Sequence, residues 1–249
     1  MKERIQKLLS SQGIASRRRV EMMIREKRII VNGCPAQIGM LVDKNDKVFI
    51  DKLIVKFPKK EIPPRVIVYN KSEGEICTRN DPEKRTTVFE KLPNIKQGRW
   101  VVIGRLDVST SGLLLFTNNG ALANKIMHPS SGVDKEYLVR IRGKITQKKI
   151  DMLRKGVFLD DGFAKFNDIV FHPNDNPEKT NRWVYVTLME GRNREVRRLW
   201  ETQNIAVSRL KRVRYGCIFL PSGMRKSSFV ELKNSELKDL VCMVNSPKT

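Results

Sequence analysis

The sequence predicts a two-part α+β chain, and three observations carry that reading. Two helical patterns followed by two strand-length runs precede Lys52. A Pro- and Lys-rich stretch comes next, and beyond it apolar runs of strand length alternate with helical segments toward the C-terminus. With 249 residues the chain has room for one medium domain and one small one. We place the parts at residues 1–51 (small domain), 52–64 (linker) and 65–249 (larger domain).

Ile5, Leu8 and Leu9 lie at helical spacing, and Gly13 is placed to end that helix. Ser16 caps a second helix with Val20, Met23 and Ile24 on one face. Arg17, Arg18 and Arg19 fill its first turn, where the helix dipole disfavours cations by ~0.3–1 kcal/mol each. That placement costs stability and suits phosphate. Arg28–Val31 before Asn32-Gly33 reads as a strand entering a tight turn, and Val48–Ile50 as a second strand. Pro58, Lys59, Lys60, Pro63 and Pro64 favour an extended, semi-rigid connection.

Val66–Tyr69 opens the larger domain, and NKSEGEICTRND returns the chain through a turn-rich loop. Val101–Ile103 and Leu113–Phe116 are strands bracketing a polar loop, expected at a sheet edge and facing solvent or ligand. Asp107 is the only carboxylate of that loop; Arg105 lies two residues before it, and Ser109, Thr110 and Ser111 supply hydroxyls that can fix the backbone. Residues 121–127 read as a short helix ending before His128-Pro129. Lys135–Arg142 alternates as a half-buried strand with Tyr137 on its apolar face. A tyrosine there is ordinarily core, with its hydroxyl satisfied.

Ile150 and Leu153 lie on a helix that stops at Gly156, Asp161-Gly162 turns one strand into another, and residues 174–181 form a surface loop. Trp183–Leu188 is a strand, after which Asn193 can cap a helix that buries Val196, Leu199 and Trp200. Arg194, Arg197 and Arg198 project from its other faces, with Arg198 expected to be solvated. Residues 210–221 form a last basic strand and turn.

Lys and Arg number 49 against 27 Asp and Glu, a net charge of +22 that points to a polyanionic partner, nucleic acid first. No stretch approaches the ~20 apolar residues of a membrane-spanning helix. The N-terminus shows a cap and turn where a signal peptide needs an apolar core, so a cytoplasmic chain is expected. Cys34, Cys77, Cys217 and Cys242 form no CxxC pair, and with only two histidines no metal site is expected.

GRLDVSTSGLLLFTNNG, running from Gly104 to Gly120, resembles the motif that carries the catalytic aspartate of RNA pseudouridine synthases, in their bacterial ribosomal branch. RIQKLLSSQGIASRRRVEMMIREKRIIVNG resembles the S4-type RNA-binding domain. KEYLV resembles the family's second active-site motif, and EGRNREVRRLWE is most similar to the large-subunit members of the branch. The resemblance implies a small S4-type domain, a linker, and a catalytic domain on a mixed, mainly antiparallel sheet with flanking helices. It implies isomerisation of uridine to pseudouridine in ribosomal RNA, 23S ahead of 16S, by a monomer without a cofactor.

By position, Asp107 is then the catalytic carboxylate, as nucleophile or as base. Tyr137 stacks on the target base, and Arg197 is the basic residue that pairs with the aspartate. Val196 packs beside the base, Arg105 helps expel the base or fill its gap, and Arg17, Arg18, Arg19 and Arg194 contact RNA. Three positions depart from the family pattern: Ser72 stands where NKPxG has Pro, Asn119 where Asp is usual, and Lys226-Ser227-Ser228 where a glycine is usual. The competing reading is a non-catalytic basic ribosome-assembly factor. A nucleoside glycosidase would require a second carboxylate and no basic surface.

Overall fold

A computed structural model describes residues 2–58, 63–95, 98–176 and 178–245. Lys59 and Lys60, which contribute to the linker reading, lie outside the described residues. The chain resolves into two compact units, one of Met1–Pro64, Pro93–Val101 and Asn118–Gly120, the other of Arg65–Leu92, Val102–Thr117 and Ala121–Thr249.

In the first unit the helices Ile5–Ser11 and Arg17–Arg25 pack on a four-stranded sheet, with a core that includes Ile5, Leu8, Leu9, Val20, Ile24 and Val48. Ser16 caps the second helix as expected, its Oγ accepting from the Arg19 amide at 3.2 Å. Asn32 and Gly33 take φ of 50° and 88°, the two left-handed residues a tight hairpin needs. Sheet order is Cys34–Pro35, Ile29–Val31, Val48–Ile50, Leu53–Ile54. The last of these falls inside the expected linker. It is an edge strand, drawn onto Val48–Ile50 by antiparallel pairing that its own two residues do not announce.

The second unit is built on a sheet whose main path runs Asp168–Phe171, Asn181–Leu188, Lys135–Arg142, Ala206–Tyr215, Ser111–Thr117, Val66–Lys71, Phe229–Glu231. Along that path every pair is antiparallel except Ala206–Tyr215 with Ser111–Thr117, which is parallel. Ser111–Thr117 and Val66–Lys71 are buried along their whole length, as central strands covered on both faces must be. The polar loop is therefore not at a sheet edge: it leaves the end of a central strand. Gly112 permits this, because with φ at 98° any Cβ would run into the backbone of Arg212 on the parallel neighbour.

Helix Gln147–Lys155 begins at Thr146 and stops before Gly156, burying Ile150 and Leu153 as their spacing predicts. A C-terminal helix, Asn234–Asn245, buries Leu240 and Val244. Its mixed sequence gave no expectation of a helix. Among the described residues no helix is long and apolar enough to cross a membrane.

Candidate active site

A cleft of about 1320 Å³ opens in the second unit, and Asp107, Arg105, Tyr137, Lys135, Arg194 and Arg212 are among the residues in its wall. Segments far apart in the chain supply them. The sheet brings them together because Lys135–Arg142 lies beside Ala206–Tyr215, which lies beside Ser111–Thr117.

The Asp107 loop is held by its backbone. The Thr110 amide donates to the Asp107 carbonyl at 3.0 Å, closing a turn, and the Gly74 amide donates to Val108 O at 2.9 Å. Below the turn lies Lys71, fully buried, its Nζ donating to the carbonyls of Ser72 (2.9 Å), Asp107 (3.1 Å) and Thr110 (2.9 Å), with Val108 O at 3.4 Å. Burial depresses its pKa; Cys77 and the carboxylates of Glu75, Asp107 and Glu73 act in the opposite sense. The expected hydroxyl scaffold contributes less: Ser111 Oγ reaches Leu210 O at 3.4 Å, and Thr110 Oγ1 is buried without a partner.

Three carboxylates line the cleft, and their surroundings separate them. Glu190 accepts from Arg192 Nε at 2.6 Å, and Glu195 accepts from the Arg192 amide at 2.9 Å. The Asp107 side chain has no hydrogen bond and no ion pair among the described residues. It is the acid left available to a ligand.

Tyr137 is 7 % exposed, on the face of its strand that also buries Val139 and Ile141, with Val186 and Arg212 as cross-strand neighbours. Its hydroxyl makes no hydrogen bond within the described residues. A core tyrosine would have one, so the ring is better described as part of the cleft wall. Val196 is buried against the same cleft.

Arg197 departs from the expectation. Its guanidinium donates to Val207 O at 2.8 Å and Ser109 O at 3.2 Å, forms no ion pair with Asp107, and is not part of the cleft wall. It sits behind the loop and grips its backbone. Burial, then neighbouring Arg194, lowers its pKa, while Asp107 and Glu201 raise it, so charge coupling to Asp107 persists without direct contact.

Arg198 also differs: it is not solvated but bound in a fork to Asp161 at 2.9 and 2.8 Å. The helix itself begins at Glu195. Arg194, with φ at 49°, occupies the cap position in place of Asn193, and makes no side-chain capping bond. Arg105 is exposed at the cleft. Arg17, Arg18 and Arg19 are exposed on the helix of the first unit.

Three residues here escaped the sequence reading. Lys71 was legible only as a cation ending an apolar run. Arg212 shares the inward alternation of Leu210; it is 2 % exposed, with Nε on Leu113 O at 2.8 Å and one terminal nitrogen buried without a partner. Lys135 donates to Met189 O at 2.7 Å and Val133 O at 3.1 Å, and its Nζ lies 5.2 Å from the Tyr215 ring centre, a ring that also carries the Arg212 guanidinium at 5.0 Å. Burial, aided by Arg212, pushes the Lys135 ammonium down to about 8.

The family described as RNA pseudouridylate synthase matches residues 65–202, and the S4 domain matches residues 3–48. Ribosomal large subunit pseudouridine synthase B of Pseudomonas aeruginosa is 50% identical over 236 residues, which span 94% of this chain and 61% of that protein. The protein of the same name from Vibrio vulnificus is 50% identical over 242 residues, 96% of this chain and 74% of the relative. A solved pseudouridylate synthase shares the fold, with a TM-score of 0.66 at 21% identity over 96% of this chain and 99% of its own.

Proposed function

Because the chain belongs to the family of RNA pseudouridylate synthases, we propose that it isomerises uridine to pseudouridine in ribosomal RNA, with 23S rRNA as substrate. The observation that carries the reading is the single unengaged carboxylate, Asp107, in a cation-lined cleft whose wall includes an aromatic ring with a free hydroxyl. The reaction breaks the bond from uracil N1 to ribose C1′ and makes one from C5 to C1′. A proton leaves C5 and N1 gains one, so atoms balance and no electrons are exchanged.

Within that scheme each residue has a task that its surroundings support. The target nucleotide must leave its stack to reach the cleft, and Tyr137 offers the turned-out base an aromatic face. Asp107 acts at the ribose, as nucleophile or as base. Val196 bounds the base, and Arg105 and Arg194 meet the RNA from the cleft rim. Arg197 and Lys71 are positioning residues, since both hold the Asp107 loop through its carbonyls. Residues 1–51, with Arg17, Arg18 and Arg19 exposed, supply sequence-independent contact to phosphates, residues 52–64 link them, and residues 65–249 carry the chemistry. We take the chain to work as a cytoplasmic monomer.

The test uses ribosomal RNA labelled with tritium on carbon 5 of uridine, which loses label to water once per turnover. The parent chain should release tritium. Asp107→Asn keeps shape and removes charge, so it should release none while binding RNA nearly as well. Binding without release by the parent would instead establish the assembly-factor reading.

A further inference from the structure

The strands that line the cleft with one face leave the other half-buried. Side chains alternate along a strand, so Lys135 and Tyr137 on one strand and Leu210 and Arg212 on its neighbour face the cleft, while residues between them face away. On that reverse face Arg140 has Trp183 beside it on one neighbouring strand and Arg209 on the other. One row along, Leu138 has Tyr185 on one side and Lys211 on the other, and His172 stacks on Tyr185 with ring centres 5.8 Å apart. Arg142 is exposed at the end of the same strand.

The charge arrangement is costly for a sheet. Arg140 and Arg209 stand directly opposite each other, a pairing that destabilises unless something else uses both charges. None of Arg140, Arg142, Arg209 and Lys211 forms an ion pair among the described residues. Acids on or beside the same strands are already engaged: Asp134 and Glu136 with Arg214, Asp168 with Arg154, Asp175 with Arg182. Trp183 and Tyr185 are half-buried rings interleaved among those cations.

We propose that this reverse face is a second RNA-binding surface, distinct from the cleft, that takes a single-stranded segment: its bases stack on Trp183 and Tyr185, and its phosphates meet Arg140, Arg209 and Lys211. It rests on the reading above only in taking RNA as the partner. Cations beside aromatic faces match the two parts of a nucleotide, whereas an acidic peptide would use the cations alone. A second copy of a chain with net charge +22 would be repelled from it.

The experiment uses the full chain and a single-stranded oligouridylate carrying thiouridine. Irradiation should crosslink the parent at the peptide holding Trp183 and Tyr185, and Arg140→Gln/Arg209→Gln should lose that crosslink. The log–log salt slope of binding should fall in magnitude by about 1–2 in the double variant, for two phosphates released. Its thermal midpoint should rise by about 1–3 °C, because the opposed charges are gone. Turnover at saturating ribosomal RNA should not change. Crosslinks confined to the cleft and the Arg17–Arg19 segment, with an unchanged slope, would overturn the proposal. So would loss, in the double variant, of binding to polyglutamate but not to RNA. The probe requires no turnover, so a chain that crosslinks here but releases no tritium loses the catalytic reading and keeps this one.

Discussion

Replacing Lys71 with Met keeps the apolar stem and removes the ammonium from beneath the Asp107 loop. Three short hydrogen bonds then vanish, to Ser72 O, Asp107 O and Thr110 O, in a place where no water replaces the donor because the side chain is fully buried. A bond from a charged donor contributes ~1.5–3 kcal/mol, so three amount to roughly 5–9 kcal/mol. Against them stands the cost of burying the ammonium itself, several kcal/mol, which the methionine no longer incurs. The net loss should be ~2–4 kcal/mol, or a fall in thermal midpoint of roughly 5–15 °C at about 2–4 °C per kcal/mol for a chain of this size. Urea unfolding followed by tryptophan fluorescence measures the first quantity, and calorimetry the second. Because the clamp holds the backbone of Asp107, tritium release below the transition should slow by about tenfold through kcat, with KM nearly unchanged. A Lys71→Met variant as stable as the parent would refute the reasoning. The carbonyl cage would then be a consequence of the fold and not one of its supports.

Tyr137→Phe should bind substrate RNA almost normally, whereas Tyr137→Leu should lose ~1–3 kcal/mol of base stacking in a filter-binding titration; equal affinity for the two would make the ring ordinary core. Replacing Arg17, Arg18 and Arg19 together with Gln should lower the magnitude of the log–log salt slope by ~2–3, and an unchanged slope would remove them from the interface. Lys135 gives a pH signature: its folded value of about 8 lies below the ordinary 10.5, so between those values the unfolded chain holds the extra proton. The stability it contributes should therefore rise with pH across that window. Unfolding midpoints of the parent minus those of Lys135→Met, measured from pH 7 to above pH 10, should slope upward; a flat or falling difference would contradict the burial argument.

What could be read before the fold was known follows a physical division. Caps and hairpin turns are settled within a few residues, so Ser16, the Asn32-Gly33 turn and the stop at Gly156 appear where local chemistry puts them. That Asp107 and Tyr137 line one cleft agrees with the motif resemblance, which places residues by position and not by local chemistry. The setting of the Asp107 loop was not legible, since its strand is central only through a parallel neighbour about a hundred residues away, and no local pattern reports that pairing. Arg194 shows the same limit at short range: Asn193 has the better capping side chain, yet the helix starts after Arg194, which is left-handed and makes no side-chain cap, while the Glu195 carboxylate accepts from the Arg192 amide. Arg197 failed as an expected ion pair for a related reason, because sequence position fixes which residue reaches the loop but not which atoms of the loop it meets.

The departures from the family pattern show the converse, that features read separately as costs can be one feature in the fold. Ser72 loses the conformational lock of a proline, and Ser227, within the Lys226–Ser228 segment that usually holds a glycine, adopts a left-handed φ of 57°. Their hydroxyls meet at 2.8 Å across 155 residues of sequence. The Ser227 amide donates to Asn70 O at 2.7 Å, the Asn70 amide to Ser228 O at 3.0 Å, and the Asn70 side chain to Met224 O at 2.7 Å. The turn that Ser227 occupies is thus bound to the segment that Ser72 begins, next to Lys71. A proline at 72 would fix the entry to the loop by its own ring and could not donate the amide that Ser72 gives to Glu75 at 2.8 Å. Here that entry is fixed from outside, by hydrogen bonds to the turn before Phe229–Glu231, and the support of the Asp107 loop extends through Lys71 and Ser72 to a strand near the end of the chain.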